Sequence, residues 1–353
     1  MKNLPIYFVL ISLFIMACNP KKDLLYFEGK TMGTSYHVRI YDNNAQVETE
    51  QYLKRSVDSL LFWINMGIST YEKNSLISYF NSTQKHQVTF PSDDTTKGAI
   101  KHFFRNLEVG KKTHEASHGY FDPTVMKLVN YWGFGYSGRT KIEKPDTIKI
   151  KELLTQTGMN KISYFYVSEL NYSLTKTDSL MELDFGGIGQ GYGADEIAGF
   201  LLQKGYSKFL VELGGELVAK GLKPDGSLWS VGLNTPLENA GTTDVFSKVK
   251  ITDKALTTSG NYRNFYTSGN QTFSHTMNPK TGFPERSSLL SVSLIGNNCT
   301  DIDAMATACM AMGIDSCKAI VIRNNMEAYF VFRAGDSLKT DMTAGFLPFL
   351  SKD

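Results

Sequence analysis

Apolar residues recur along this chain in two periods, and the periods alternate. Leu53, Val57, Leu60, Leu61 and Ile64 stand three or four apart and predict an amphipathic helix over Val47–Ile64. The same spacing predicts helices over Ala99–Val109, Thr124–Tyr131 and Ile148–Thr157, the last stopped by Gly158. Ala194, Ile197, Ala198, Leu201 and Leu202 form a fifth helical stripe, closed by Gly205. Ile302, Met305, Ala306, Cys309 and Met310 form a sixth, within Thr300–Met312. Between them lie strand signals. Phe27–Tyr41 alternates with Tyr36, Val38 and Ile40 on one face. Tyr164–Val167, Tyr172–Thr175, Leu180–Phe185, the run FLVEL ending at Leu213, the surroundings of Val218, Trp229–Leu233, Leu289–Ile295, Ala319–Ile322 and Ala328–Phe332 also read as strands. Tyr71 to Asn81 is polar, and Ala255–Tyr262 is small and polar, predicting a loop that lines a site. No repeat or Pro/Ser-rich linker interrupts the pattern, which predicts one α+β domain.

The first segment follows a different rule. Lys2 precedes an apolar stretch, Ile6–Met16, that is too short to span a bilayer and ends Ile15-Met16-Ala17-Cys18. That ending resembles the lipobox of bacterial lipoproteins, in which the chain is cut before the cysteine and the cysteine is diacylated; the alternative is a plain signal peptide with a chance cysteine. The expected organisation is a lipoprotein signal peptide at 1–17, a lipidated tether at 18–26 with Cys18 as the acylated residue, and a folded domain at 27–353. Several acyl chains would give a stable membrane anchor. The protein is thus expected lipid-anchored on the periplasmic side, the inner membrane preferred over the outer.

Composition adds exclusions. The chain has 353 residues with 42% hydrophobic content, enough for a sizeable core, and a formal net charge of +2 that suggests neither nucleic acid nor an acidic partner. Apart from Cys18, three cysteines remain, Cys299, Cys309 and Cys317, with no C-x-x-C pair. Cys309 reads as a small core residue on a helix. The pairing of Cys299 with Cys317 is not legible.

Candidate chemistry centres on Leu180–Gly205, where an apolar run carrying Asp184 turns through Gly186, Gly187, Gly189, Gly191 and Gly193 into a helix. Bare backbone beside a helix N-terminus suits an anion or a close-lying ligand. Gly189, Gly191 and Ala194 also fit the dinucleotide pattern G-x-G-x-x-A, with Glu212 near the ribose position, though a glycine-rich turn before a core helix accounts for the same residues. Asp122 before Pro123 is either a helix cap or a ligand. Asp303 and Thr307 lie one turn apart on one helix side. Asp303 is either part of a capping box with Thr300 or, with the Thr307 hydroxyl and backbone carbonyls, a hard-cation site suited to Mg²⁺. His275 stands alone in a strand–turn segment, where a histidine is more often structural than catalytic.

Taken in order, these stretches resemble the ApbE family, the FAD:protein FMN transferases. The resemblance runs from about Thr31 to Gly313. It is carried by Thr31-Met32-Gly33-Thr34, Ser69-Thr70-Tyr71, Gly119 to Thr124, Trp132 to Gly135, Leu183 to Tyr192, Val211 to Gly215, Thr258-Ser259-Gly260, His275 to Gly282, and Asp303 with Thr307. It implies a single ApbE-like domain of mixed sheets with packed helices. It also implies Mg²⁺-dependent transfer of the FMN half of FAD onto a threonine hydroxyl of a target flavoprotein, as a phosphoester, with release of AMP. The target would be exposed to the periplasm, such as a subunit of a membrane redox pump. Carried over residue by residue, Met32, Tyr71, Tyr120, Phe121, Asp122, Asp184 and Gln190 would contact FAD. The Gly187 carbonyl, Asp303 and Thr307 would hold the metal, and His275 would sit by the reacting phosphate and take the threonine proton.

Two positions depart from the pattern: Gln190 stands where the family often has Lys, and Asn278 where it often has Asp, removing a carboxylate partner for His275. Other readings are an FAD pyrophosphatase, in which water replaces threonine, a flavin-binding lipoprotein without catalysis, and an NAD-linked dehydrogenase.

Overall fold

The computed structural model describes residues 25–351 except 42–47, 91–95, 139–140, 169–170, 238, 242–243, 263 and 269–270. The expected signal peptide, Cys18 and most of the tether lie outside the described residues. The strands are β1 (Leu25–Thr31), β2 (Thr34–Ile40), β3 (Gln87–Thr89), β4 (Ile162–Ser168), β5 (Asn171–Lys176), β6 (Phe209–Leu213), β7 (Glu216–Lys220), β8 (Trp229–Asn234), β9 (Val245–Ile251), β10 (Lys254–Gly260), β11 (Phe265–Ser268), β12 (Gln271–Ser274), β13 (Leu289–Gly296), β14 (Glu327–Ala334) and β15 (Ser337–Met342). The helices are α1 (Glu50–Ile68), α2 (Leu76–Ser82), α3 (Lys97–Ala116), α4 (Met126–Tyr131), α5 (Thr147–Thr155), α6 (Gly189–Gln203), α7 (Cys299–Met312) and α8 (Ile314–Arg323).

The frame is an eight-stranded sheet in the order β1-β2-β6-β7-β10-β13-β14-β15, antiparallel at every pairing. Both faces are covered. Val211, Val218 and Ala255 point into the core formed with α1, α6 and α7. Their neighbours Leu210, Leu217 and Leu256 point the other way, onto the β8–β9 hairpin and the 3₁₀ turn at Ala344–Phe349. Two buried faces explain why these strands read as continuous apolar runs rather than as alternation. A third cluster joins α4 and α5 to β12 around the buried Trp132, whose indole N–H donates to the Gly282 carbonyl at 2.9 Å. That contact pins the turn following His275.

The α+β class and the mixture of antiparallel sheets and helices hold. Several local expectations do not. Phe27–Tyr41 is a hairpin, because Met32 and Gly33 both take positive φ, 50° and 73°, and reverse the chain between β1 and β2. The polar segment after Tyr71 contains α2, started by the Ser75 side chain accepting from Ser78 N–H. Ala255–Tyr262 is mostly strand β10, set between β7 and β13. Ala319–Ile322 belongs to α8, which buries Cys317, Ile320 and Val321. Leu180–Phe185 forms no strand: Leu180 belongs to a turn and the residues after it join no ladder. Its backbone is satisfied otherwise: the Asn81 amide donates to the Leu183 carbonyl at 2.9 Å and accepts from Leu183 N–H at 2.7 Å, Asp184 N–H donates to the Pro123 carbonyl at 2.7 Å, and the Lys176 ammonium donates to the Met181 carbonyl at 3.0 Å. The antiparallel sheet also removes the dinucleotide fold, which needs parallel strands around the glycine turn. Finally, Cys309 pairs with Cys317, joining α7 to α8, and Cys299 is a buried free thiol.

Candidate active site

A cleft of about 390 Å³ opens where the glycine turn before α6, the face of α7, the end of β10, the Tyr120–Met126 segment and the His275–Pro279 turn converge. Of the sequence-predicted residues, Tyr71, Tyr120, Phe121, Asp122, Asp184, Gly187, Gln190, His275, Asp303 and Thr307 all line it. Met32 does not. It sits in the β1–β2 turn, half-buried against the core, with its methyl 3.6 Å from where a Cβ on Gly193 would stand.

The centre of the cleft is made where α6 crosses α7. Asp303 and Thr307 are one turn apart on α7 and face the glycine turn. The Thr307 hydroxyl would lie 2.8 Å from a Cβ on Gly187, so only glycine lets that backbone approach the hydroxyl. Gly191 is equally constrained: a Cβ there would fall 2.6 Å from the Cys299 carbonyl and 2.7 Å from Asp303 Cβ. Its N–H donates to Asp303 Oδ2 at 2.9 Å. The capping-box reading of Asp303 fails, because Asn298 caps α7 and Thr300 is tied to the Asp195 carboxylate. Asp303 is buried, and burial pushes its carboxyl up to about 7 despite the Gly191 N–H.

Glu216, which sequence reasoning missed, lines the same cleft from the first position of β7. It is 6% exposed, accepts from the Thr257 hydroxyl at 3.2 Å through Oε1, and its Oε2 is buried with no hydrogen-bond partner. Burial, reinforced by the Asp303 charge, raises its carboxyl well above the usual range. The signal was available as an acid directly before the apolar run Leu217-Val218-Ala219. Among the described residues no three His, Cys, Asp or Glu side chains cluster as a metal site. A cation here would instead use mixed oxygen donors, namely a carboxylate, a hydroxyl and a backbone carbonyl. That donor set suits a hard cation.

The flanking residues are held from outside. Asp122 accepts from Thr124 N–H at 2.9 Å, the Thr124 hydroxyl at 2.5 Å and Met159 N–H at 3.3 Å, so it caps the 3₁₀ turn at Pro123–Val125 while forming the cleft wall. Asp184 accepts from Gly186 N–H at 2.8 Å, and burial raises its carboxyl. His275 Nδ1 lies 3.1 Å from the Asn264 carbonyl oxygen, which only accepts. Nδ1 therefore carries the proton and Nε2 keeps a lone pair. Burial lowers the His275 pKa, which keeps the ring neutral at neutral pH. Asn278 does not orient it; its amide donates to Glu285 and accepts from Lys280 N–H. Among the described residues no hydrogen bond joins Asn278 to His275. At the rim, the Lys280 ammonium stands 3.9 Å from the centre of the Tyr120 ring.

The chain as a whole is similar to known proteins in sequence and in fold. The ApbE family profile matches residues 32–330. The FAD:protein FMN transferase of Escherichia coli K12 is 31% identical over 347 residues, covering 96% of this chain and 95% of its own. That of Haemophilus influenzae is 28% identical over 338 residues, with the same coverage. Among solved structures, the flavin transferase ApbE from Vibrio cholerae superposes with a TM-score of 0.79 at 27% identity, covering 93% of this chain and 99% of that one. Apo flavinyl transferase ApbE of Pseudomonas stutzeri gives 0.79 at 29% identity, covering 93% and 96%.

Proposed function

This chain belongs to the ApbE family, and from that premise we propose that it is an FAD:protein FMN transferase that moves the FMN half of FAD onto a threonine hydroxyl of an acceptor protein. The observation that carries the reading is the meeting, in one cleft, of a hard-oxygen donor set with a histidine whose Nδ1 is held by the Asn264 carbonyl, leaving the Nε2 lone pair as the base. In the reaction the threonine oxygen bonds to the FMN phosphorus and the bond from that phosphorus to the AMP oxygen breaks. The threonine proton passes to His275 Nε2, and AMP leaves. Nδ1–H, held by the Asn264 carbonyl, keeps the ring in the tautomer and orientation this transfer needs. Asp303, Thr307 and the Gly187 carbonyl would hold Mg²⁺, which when bound supplies charge neutralisation on the pyrophosphate. Tyr71, 74% exposed at the mouth, and Tyr120 offer aromatic faces to the heterocycles of FAD.

The acceptor would be a flavoprotein exposed to the periplasm, such as a subunit of a membrane redox pump, with this enzyme anchored beside it through acylated Cys18. The Cys309–Cys317 disulfide supports an exported location, since disulfides persist in oxidising compartments. The test is mass spectrometry of a candidate acceptor after incubation with enzyme, FAD and Mg²⁺. Threonine-linked FMN with stoichiometric AMP is expected. FMN and AMP released without modification of the acceptor would instead identify a pyrophosphatase, and intact FAD would identify a binding protein.

A further inference from the structure

Glu216 is costly to the fold as it stands. It opens β7 directly after Gly214 and Gly215, whose φ values of 68° and 114° turn the chain sharply and aim the side chain at the α7 side of the sheet. There it is 6% exposed, and one carboxylate oxygen has no partner at all. Its neighbours along the strand, Leu217 and Val218, are apolar and buried. An ionised carboxylate left this way loses its hydration without recovering hydrogen bonds. A packing role would be met by an amide or an apolar side chain. The unsatisfied oxygen belongs instead to a residue that lines the cleft together with Asp303 and Thr307. Two buried carboxylates sharing one cleft repel unless they share a proton or a cation lies between them.

We infer that Glu216 is a further carboxylate of the cation site, acting with Asp303 to hold the divalent metal. The inference rests on the metal-dependent reading given above. It adds a second negative ligand to a site otherwise built from one carboxylate, a hydroxyl and a carbonyl. Ligand charge count is a main determinant of affinity for hard cations. The Thr257 hydroxyl, donating to Oε1, would fix the carboxylate's orientation and leave Oε2 for the ion.

The test uses the full folded chain, freed of metal, titrated with Mn²⁺ and followed by electron paramagnetic resonance, with and without ADP as an unreactive pyrophosphate. Thermal melts are recorded alongside. Glu216→Gln is expected to weaken Mn²⁺ binding by at least about tenfold and to lose most of the metal-induced rise in melting temperature. Its metal-free melting temperature should equal or exceed that of the wild type. Glu216→Asp, which keeps the charge, should retain binding to within a few fold, and it serves as the informative variant if the glutamine form folds poorly. Asp303→Asn is the control for the metal site itself. Wild-type affinity in Glu216→Gln combined with lost affinity in Asp303→Asn would overturn the role given to Glu216 while leaving the metal reading intact. Absence of Mn²⁺ binding by the wild type, with or without ADP, would overturn both.

Discussion

Helix α6 contains two glycines whose replacement by alanine should have opposite effects. At Gly191 a Cβ would stand 2.6 Å from the Cys299 carbonyl oxygen, 2.7 Å from Asp303 Cβ and 3.0 Å from the Cys299 carbonyl carbon. Two of these three atoms are backbone and the third is fixed to it, so no rotamer change relieves the clash and α7 must move away from α6. Overpacking of this kind costs about 1–3 kcal/mol. The shift also breaks the Gly191 N–H bond to Asp303, and a hydrogen bond to a charged group contributes about 1.5–3 kcal/mol. Alanine's higher helix propensity returns at most about 1 kcal/mol. The net loss is roughly 1.5–5 kcal/mol. Gly199, two turns further along, has nothing within 4 Å of its Cβ position, so Gly199→Ala should gain up to about 1 kcal/mol. For a chain of this size roughly 2 °C accompanies each kcal/mol. Calorimetry of metal-free protein should then show Gly191→Ala melting about 3–10 °C lower and Gly199→Ala about 1–2 °C higher. Metal affinity should fall only in Gly191→Ala, because only there is Asp303 displaced. A Gly191→Ala protein that melts within a degree of the wild type and binds metal normally would refute the claim that the α6–α7 crossing builds the site.

Four further outcomes follow from the same structure. His275→Ala should slow single-turnover flavin transfer by about 10²–10⁴-fold with FAD affinity little changed, and a loss under about threefold would show that it is not the base. Cys317→Ser should lower stability by about 2–3 kcal/mol in denaturant titrations, with no further loss on adding reductant, because it opens the short α7–α8 loop. Burial holds the His102 pKa down to about 3, so the unfolded chain takes up a proton below about pH 6.5 that the native ring refuses, and native stability falls as pH drops through that window. Comparing His102→Gln with wild type by urea melts, the stability difference should shift by up to about 2 kcal/mol in the variant's favour between pH 7 and pH 5, and no shift would disprove the linkage. Cys18→Ser should release the protein from the membrane fraction as an unacylated form, whereas wild-type protein recovered without lipid and cut elsewhere would defeat the anchor.

Periodicity alone identified the helices that carry the core, α1, α3, α6 and α7, and most strands of the large sheet. It did so because one buried face imposes its spacing on the residues of a single element, wherever that element packs. Ordered short motifs located nearly the whole cleft before any geometry was known: glycines, Asp303 with Thr307, and His275 are residue types that backbone approach, cation binding and proton transfer require. The same local rule failed where the deciding partner was distant. Met181, Leu183 and Phe185 are fully buried at alternate positions, as a strand's would be, yet the segment bonds to the Asn81 side chain. Ala319–Ile322 is too short an apolar run to tell strand from helix, and α8 exists because Cys317, Ile320 and Val321 share a buried stripe. In β10, Thr258 and Ser259 are polar although the strand is central, because both line the cleft.

Only the tertiary structure decided which cysteines pair, what orients His275 and where the charges meet. Cys309 and Cys317 are joined because Gly313, at φ 81°, separates α7 from α8. His275 takes its orientation from a backbone carbonyl, which has no sequence signature. Asp303 is reached by a backbone N–H 112 positions away, and Glu216 shares a cleft with it from strand β7. Hydrophobic spacing records whether a residue is buried. The identity of the group beside a buried carboxylate depends on how elements far apart in the chain pack, and that is fixed only when the sheet and helices close on one another.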